Sequence, residues 1–335
     1  MRKSLSLLVG VLLVVCFSAC KSDIRRSNEE KASVGFTAPV LGDFCADSAY
    51  RYISEQVGFG PRVPGSTGHK NCKDYIVGKL RSFGVDSIIV QEAEVTAYNG
   101  DRLPIYNIIA GFNTEAKRRI LLVAHWDTRP WADMEQNQEK RNQPILGAND
   151  GGSGVGVLLE IARNLGIKHP DAGIDLLFVD AEDYGKHEGF SPNTESWCLG
   201  TQYWVENMIP YNTLNKPVYG ILLDMVGGKN ARFHYEAFAK QHAPTATIKV
   251  WSEAAQLGYD NIFVRATGGS VTDDHVFITN AGIPTTNIIE TNNEITESFP
   301  PTWHTHDDNM SNIDKKSLEA VGRTVLNVVY KEKAE

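Results

Sequence analysis

The sequence contains few cysteines, and their spacing excludes a thiolate metal cluster. Five of the 335 residues are cysteine, and Cys45, Cys72 and Cys198 lie far apart along the chain. A zinc site built from cysteines needs them in closely spaced pairs. Because three is an odd number, at least one of these thiols cannot pair within the chain. We interpret the three as structural residues, and the sequence does not define how they pair.

The sequence also lacks an apolar run long enough for a good membrane span. The run Leu5–Phe17 follows a basic start and is typical of a secretory signal peptide. The string "CFSAC" then resembles a bacterial lipobox, although plain signal cleavage beside an incidental cysteine would give the same pattern. We expect a lipoprotein signal peptide at 1–19, lipidation of Cys20 and a polar tether at 20–41. The protein is thus expected to be exported and lipid-anchored, facing the periplasm or the cell surface of a Gram-negative bacterium.

The chain has no excess of positive charge. Its formal net charge is −8 at pH 7, which gives no support to a nucleic-acid partner. Hydrophobic residues make up 42% of the chain and charged residues 22%, which is an ordinary globular composition. Neither an internal repeat nor a linker divides the body of the chain. Residues 42–335 are therefore expected to form one domain around one sizeable core.

The pattern of apolar runs predicts an α/β fold. Six short runs have the length and composition of buried strands, at residues 87–95, 106–112, 119–125, 174–180, 219–224 and 284–289. Helices are predicted at 42–57, 67–84, 153–165, 199–208, 242–257 and 314–330. Strands that alternate with helices indicate a single domain with a central, mostly parallel, twisted sheet and helices on both faces. We expect the first strands to form an antiparallel edge, and the polar segments 129–146 and 184–197 to be loops over a site.

Acidic residues and histidines follow nearly every predicted strand. They are His125, Asp127, Asp180, Glu182, Asp183, Asp224, Asp273, Asp274, His275 and the segment "TWHTHDD". The carboxyl ends of parallel strands meet at one edge of the sheet, where ligands bind in open α/β folds. Each residue alone has an ordinary explanation, and Asp150 before "GGSG" could simply be a helix N-cap. Converging carboxylates would repel one another without a cation, however, and a mixture of carboxylate and imidazole ligands suits zinc.

The glycine-rich segment "GGSGVG" matches neither of two common catalytic motifs. It follows no strong strand directly and has the wrong glycine spacing for a dinucleotide-binding fingerprint. It also fails the nucleophile-elbow pattern, since the residue two positions after Ser153 is Val155 and not glycine. The segment therefore carries no assignment by itself.

Seven motifs of the chain resemble those of a known family. From about residue 42 to 331 the chain is similar to the zinc-dependent aminopeptidase superfamily, and within it to the glutaminyl cyclases of the animal and bacterial type. The matching strings are "GFGPRVPGS", "LLVAHWDTRP", "GANDGGSGVGVLLE", "LLFVDAEDYG", "LLDMVG", "TDDHVF" and "FPPTWHTHDDN". The resemblance implies a catalytic domain at 42–335 that cyclizes the N-terminal glutamine of peptides or proteins to pyroglutamate and releases ammonia. We expect a monomer, and the sequence does not name the physiological substrates.

The resemblance also implies roles for individual residues. It makes Asp150, Asp183 and His304 the ligands of one Zn²⁺ per chain, and Glu182 the catalytic general acid and base. Carboxylates that hydrogen-bond around this glutamate, and aromatic residues of the substrate pocket, match Asp224, Asp273, Trp197, Phe299 and Trp303. The animal members usually have glutamate as the second ligand, where this chain has the shorter Asp183. The resemblance makes His306 a supporting residue rather than a ligand, with Asp307 and Asp308 orienting the loop.

Two other functions stay open at the level of the sequence. A two-zinc aminopeptidase of the same superfamily would use His125 and Asp224 for a second metal, with Asp150 bridging and the glutamate activating water. A binding module that has kept the fold is the other, but it would be expected to have lost the glutamate or a ligand. Two features favour the cyclase, namely Asp273 in "TDDH" and Trp303 directly before the ligand histidine.

Overall fold

The structure is a computed structural model that describes residues 41–187, 194–211 and 215–335. The predicted signal peptide at 1–19 lies outside these ranges, as does the predicted tether at 20–41 except for Leu41. The described residues all belong to one compact unit, to which the Leu41 N–H is tied by a hydrogen bond to Asn327 Oδ1 at 2.8 Å. Within the described ranges, no helix has both the length and the apolar character needed to cross a membrane.

The described residues form eight strands. In chain order they are β1 (Ser87–Thr96), β2 (Arg102–Phe112), β3 (Arg119–His125), β4 (Gly173–Val179), β5 (Tyr219–Leu223), β6 (Phe233–Tyr235), β7 (Phe263–Thr267) and β8 (Thr285–Ile288). Six of them form the central sheet in the order β1-β2-β4-β3-β5-β8, and β6 pairs with β7. Strands β3, β4, β5 and β8 run parallel, whereas β2 is antiparallel to both β1 and β4. The predicted mostly parallel sheet and its antiparallel edge are both confirmed.

Eight α-helices accompany these strands in the described part of the chain. They are α1 (Ala46–Val57), α2 (Thr67–Ser82), α3 (Gly152–Ile167), α4 (Leu199–Glu206), α5 (Ala237–His242), α6 (Pro244–Gln256), α7 (Asp274–Asn280) and α8 (Lys315–Lys331). Helix α3 connects the parallel neighbours β3 and β4, as a crossover between parallel strands requires.

Alternate residues of the central strands face different helices. On β3, the even-numbered residues of Ile120–Ala124 belong to a core cluster that includes residues of α1, α3, α6 and α8. Leu121 and Val123 belong to a second cluster, with Trp204 of α4 and Ile278 of α7. Because both faces are covered, β3 is an uninterrupted apolar run, which is the pattern that predicted it. The prediction of helices on both faces is confirmed.

Four short elements were not predicted, and several boundaries differ, since α1 begins four residues later than predicted and β2 four residues earlier. Strands β6 and β7 and helices α5 and α7, each of three to seven residues, were not predicted. The predicted helix 242–257 is instead the end of α5 followed by α6, because Pro244 opens α6 and has no N–H with which to continue α5. The predicted loop 129–146 is irregular apart from one short 3₁₀-helix. In the predicted loop 184–197, residues 188–193 lie outside the described ranges.

The start of α3 lies very close to the sheet. Gly151, just before the helix, has a φ of +78°, in the left-handed region that favours glycine. A Cβ added to Gly154 would lie 2.2 Å from the carbonyl oxygen of Leu223, at the end of β5. The glycines of "GGSG" thus allow α3 to begin against the strand ends, where Asp150 joins the residues that follow β3, β4 and β5.

Replacing Gly154 with alanine is expected to destabilise the protein, although alanine is the better helix former. The added methyl group would overlap the backbone of β5, and overpacking of this kind typically costs about 1–3 kcal/mol. Gly78 in α2 is the matched control, because a Cβ there meets no atom within 4 Å. Gly78→Ala should stabilise the protein by about 0.5–1 kcal/mol. Urea unfolding of both variants measures the contrast, and a stabilised Gly154→Ala would contradict this packing.

Candidate active site

A cavity opens at the carboxyl ends of the parallel strands. Its volume is about 580 Å³, within the usual range for small-ligand pockets. All but one of the predicted site residues line it: Asp150, Glu182, Asp183, Trp197, Asp224, Asp273, Phe299, Trp303 and His304. The exception is His125, which lies behind Asp150 and Asp224. The structure therefore brings the predicted residues together at one place.

The three predicted metal ligands form one tight, buried group. One donor atom from each of Asp150, Asp183 and His304 lies within 4.8 Å of the other two. His304 Nε2 is 3.1 Å from Asp183 Oδ1 and 3.6 Å from Asp150 Oδ2. The second carboxylate oxygen of Asp183 is buried and has no hydrogen-bond partner among the described residues. A buried oxygen without a partner is costly, and a bound cation would satisfy it, so the residues present fit a metal ion.

The pKa shifts of these three residues also favour the binding of a cation. Burial raises the pKa of Asp183 to about 8. Burial, reinforced by the negative charge of Asp183, likewise raises the pKa of Asp150. Burial and the positive charge of Arg129 lower the pKa of His304, so the imidazole is neutral at pH 7. Without a metal the Asp183 carboxyl therefore holds a proton at neutral pH, and a metal ion would take the place of that proton.

Asp133, a residue that the sequence did not single out, lies beside His304. Asp133 Oδ1 lies 3.2 Å from His304 Nδ1, the ring nitrogen that does not face Asp183. Arg129 fixes Asp133 in turn, since Nε donates to Oδ1 at 3.0 Å and Nη2 donates to Oδ2 at 2.5 Å. A carboxylate behind a metal-binding histidine fixes the orientation of the ring. Asp133 is therefore a positioning residue for His304.

Arg129, which binds Asp133, also contacts the predicted ligand Asp183. Its Nη1 donates to the main-chain oxygens of Asp183 at 2.9 Å and Gly185 at 3.1 Å. Its guanidinium group lies over the ring of Trp197, 4.7 Å from the ring centre. One buried cation thus connects two ligands and the cavity wall. The signal that could have revealed it is the oppositely charged pair, four residues apart, in the loop after β3.

Glu182 is fixed directly beside the ligand Asp183. The N–H groups of Glu182 and Asp183 donate to the two carboxylate oxygens of Asp127, at 3.1 and 3.2 Å. The turn begins at Ala181, whose φ of +47° is strained for a residue other than glycine. Burial raises the pKa of Glu182 well above its ordinary value, and the negative charges of Asp183 and Asp273 add to the effect. The arrangement suits a residue that exchanges a proton near neutral pH.

Cys198 contacts the predicted base. Its Sγ lies 3.4 Å from Glu182 Oε1, to which the thiol donates. Asp273 adds a third donor atom within 4.8 Å of these two, and its Oδ2 accepts a hydrogen bond from Asn287 Nδ2 at 2.7 Å. Burial and the charge of Asp224 raise the pKa of Asp273 to about 6. Like the other two cysteines of the described residues, Cys198 is a free thiol.

Asp224 does not have the partner that we expected. The resemblance placed it around Glu182, but its Oδ1 lies 3.1 Å from His125 Nε2, which is also 3.1 Å from Asp150 Oδ1. The reason is the strand order, because β5 lies beside β3 and His125 is the last residue of β3. His125, Asp150 and Asp224 form a second buried group of donor atoms within 4.8 Å of one another.

Aromatic residues surround the imidazole of His304. The Trp303 ring stacks on it with centroids 3.7 Å apart, and Phe299 lies 4.5 Å from the Trp303 ring. Trp197 is nearly parallel to the imidazole at a centroid distance of 6.2 Å. The three predicted pocket residues therefore form one wall of the cavity beside the donor group.

The residues after His304 have different tasks. His306 Nδ1 lies 3.1 Å from Glu135 Oε2, and His306 belongs to no metal-donor group of the described residues. We expected Asp308 to orient its own loop. Its carboxylate instead accepts hydrogen bonds from the N–H groups of Asn149 and Asp150, at 2.7 and 3.0 Å. Asp308 thus links the segment of one predicted ligand to the turn that carries another.

This chain also matches a known protein family and proteins of known structure. The family model described as "Peptidase family M28" matches residues 107–329. This chain belongs to peptidase family M28. It is 49% identical to a Bacteroides thetaiotaomicron glutaminyl cyclase whose crystal structure was solved with N-acetylhistamine bound, over 87% of this chain and 99% of that one, with a TM-score of 0.83. The predicted resemblance to this family is therefore confirmed.

Other proteins that are similar to this chain bear different names. A leucine aminopeptidase precursor from Bacteroides thetaiotaomicron is 48% identical over 89% of this chain and 100% of that chain, with a TM-score of 0.82. The glutaminyl-peptide cyclotransferase of Bos taurus is 23% identical over 81% of this chain and 78% of its own length. Similar chains thus bear the names of both predicted activities, and residue chemistry has to distinguish the two.

Proposed function

We propose that this protein is a glutaminyl-peptide cyclotransferase, which converts an N-terminal glutamine to pyroglutamate and releases ammonia. The observation that carries the proposal is the position of Trp303, whose ring stacks on His304 and walls the cavity next to Glu182. An aromatic wall beside a proton-exchanging carboxylate suits a reaction in which water must be kept out, because water would hydrolyse the amide. The 49% identity to a bacterial glutaminyl cyclase supports the same activity.

We further propose that Asp150, Asp183 and His304 hold one Zn²⁺. Two carboxylates and one imidazole form a suitable zinc ligand set, with a fourth position left for the substrate. The partnerless oxygen of Asp183 and the neutral imidazole of His304 support this assignment. When bound, zinc supplies a Lewis acid that polarises the side-chain amide carbonyl of the substrate.

Glu182 is the residue that moves the proton. The α-amine and the amide that it attacks belong to one glutamine, so the cavity has to hold that side chain folded back on its own amine. Glu182 accepts a proton from the amine as the new C–N bond forms, and returns it to the amide nitrogen, which leaves as ammonia. No oxidant, reductant or water is consumed. The raised pKa of Glu182 suits this exchange, because a general acid and base works best when its pKa lies nearer to neutral pH than that of an ordinary carboxyl group.

A two-zinc aminopeptidase is the second candidate, because His125, Asp150 and Asp224 form a second donor group. The two reactions give different products. We would measure ammonia release from a Gln-initiated dipeptide, residue cleavage from a Leu-initiated amide, and zinc per chain. Cyclization with one zinc supports the cyclotransferase. Amide cleavage with two zincs would refute it, and a protein with neither activity would be a binding module.

Replacing Asp133 with asparagine is expected to weaken zinc binding by about 10–100-fold, the usual effect of removing a carboxylate behind a ligand histidine. The shape of the side chain is kept, but the negative charge that orients His304 is lost. Chelator competition measures the zinc affinity independently of activity. Glu135→Gln is the matched control, since Glu135 lies in the same loop and contacts His306 instead. Equal zinc affinity in the two variants would show that Asp133 does not position His304.

A further inference from the structure

Part of the open end of the cavity is formed by a short loop that the proposed chemistry does not use. Residues 292–298, here called the rim loop, connect the end of β8 to the segment of Phe299 and Trp303. Asn292, Glu297 and Ser298 of this loop are exposed and line the cavity. Both reacting groups of a glutamine have to lie at the inner end, beside Glu182. The residue that follows glutamine in a substrate therefore lies toward the open end, which the rim loop shares with the exposed residues Met134, His187 and Ser270.

The charged residues that line the cavity are nearly all of one sign. Six carboxylates line it, those of Asp150, Glu182, Asp183, Asp224, Asp273 and Glu297, and no Lys or Arg of the described residues does. Five of the six are buried at the inner end, and Glu297 alone is exposed at the open end. Protons or the proposed metal ion neutralise much of the charge of the buried carboxylates, so the negative charge at the open end is that of Glu297. An exposed carboxylate at the mouth of a cavity attracts a cation.

Glu297 is held in place rather than left free on the surface. Its φ of +54° lies in the left-handed region, which a residue other than glycine keeps only when its surroundings fix it. The N–H of Glu297 donates to Asn293 O at 2.8 Å, and the N–H of Asn293 donates to Ser298 O at 2.9 Å. The Asn293 side chain is fixed in turn by a hydrogen bond to Glu290 Oε1 at 3.0 Å. The loop is therefore closed by its own hydrogen bonds.

The Glu297 carboxylate is also available to a ligand. It forms no ion pair with a lysine or arginine of the described residues, whereas Glu294 of the same loop pairs with Arg232. Glu294 does not line the cavity. The rim loop thus carries two exposed glutamates, of which one is neutralised away from the cavity and the other faces it unpaired.

We propose that Glu297 is a specificity residue, which binds a positively charged side chain at the position after the reactive glutamine. The preferred substrates would then begin with Gln-Lys or Gln-Arg, and those that begin with Gln-Glu or Gln-Asp would be disfavoured. The inference rests on the proposed cyclization and names its substrate class. An exposed ion pair is screened by salt, so the preference should shrink as the ionic strength rises.

The test compares three peptides that differ only after the glutamine, Gln-Lys-Ala, Gln-Leu-Ala and Gln-Glu-Ala. For each, kcat/KM is measured from ammonia release with the zinc-loaded protein. Glu297→Gln should reduce the ratio of Gln-Lys-Ala to Gln-Glu-Ala by about fivefold, the upper size for an exposed ion pair. Activity on the neutral Gln-Leu-Ala should change little. Glu294→Gln is the matched control and should leave the ratio unchanged.

The outcomes separate this inference from the proposed function. If the protein releases ammonia from all three peptides but Glu297→Gln leaves the ratio unchanged, Glu297 is not a specificity residue and the cyclotransferase assignment stands. If Glu294→Gln changes the ratio as much as Glu297→Gln, the effect is that of net charge, and the assignment to Glu297 is wrong. If no peptide yields ammonia, the proposed function fails and the inference fails with it.

Discussion

Replacing Glu182 with glutamine is expected to lower the rate of cyclization by about 10²–10⁴-fold, the usual contribution of a general acid and base. Glutamine keeps the shape of the side chain but cannot accept a proton from the attacking amine. The metal should stay bound, because Glu182 is not part of the group formed by Asp150, Asp183 and His304. The variant therefore removes the proton shuttle alone. Ammonia release and zinc content of the same preparation give the two readouts.

Asp183→Asn is the matched comparison for this variant, since it changes the neighbouring residue in the same way. It should lose zinc and activity together, because Asp183 lies 3.1 Å from His304 Nε2 in the donor group. The proposed division of labour thus predicts opposite zinc contents for two adjacent acid-to-amide changes. If Glu182→Gln loses the metal, or if Asp183→Asn retains it with full activity, the two roles have been assigned wrongly.

The strands of the central sheet could be predicted because each is buried on both sides. A run such as "RILLVAH" is apolar along its whole length only when helices cover both faces of the sheet. Strand β7 could not be recognised in this way, since most of Phe263–Thr267 is exposed. Helix α7 begins at Asp274 inside a motif that was interpreted for its chemistry, and its seven residues are too few to show helical periodicity.

The predicted site residues lie together because the ends of parallel strands share one edge of a sheet. That rule brings Asp150, Asp183 and His304 to one place, but it does not define their neighbours. Asp224 contacts His125 because β5 and β3 are adjacent, and strand order depends on the whole fold rather than on a local motif. Asp133 lies in a loop without periodicity, and its contact with His304 spans 171 positions of the chain.

Strained backbone marks the same site independently of chemistry. Ala181, Cys198, Met225 and His304 all have positive φ angles, and all four lie at or next to residues that line the cavity. Such conformations cost of order 1–3 kcal/mol each and persist only where the surroundings fix them. The contacts around these residues include Asp127, which accepts hydrogen bonds from the N–H groups of Glu182 and Asp183, and Asp133, which lies beside the His304 ring. Neither strain nor these contacts can be recognised from residue types alone.

Removing zinc is expected to abolish cyclization and to make the stability of the folded protein decrease as the pH rises. In the metal-free protein the pKa of Asp183 is about 8, raised by burial, and that of Asp150 is raised in the same direction. In an unfolded chain an aspartate has a pKa of about 3.9. Above that value the folded state holds protons that the unfolded state has released, so the free energy of unfolding falls until the pH exceeds about 8.

The pH window for the measurement follows from the two histidines. His304 has a lowered pKa, so at pH values below its ordinary pKa of about 6.5 it makes the free energy of unfolding rise with pH. The raised pKa of His125 acts in the same direction as that of Asp183.

Melting temperatures of zinc-loaded and chelator-treated protein should therefore be compared from about pH 6.5 to 8. Zinc takes the place of the protons in the loaded protein, so the gap between the two melting temperatures should widen across this range. In metal-free Asp183→Asn the slope should be shallower than in the metal-free parent. Parallel pH profiles for the loaded and metal-free protein would show that these carboxylates do not hold the metal.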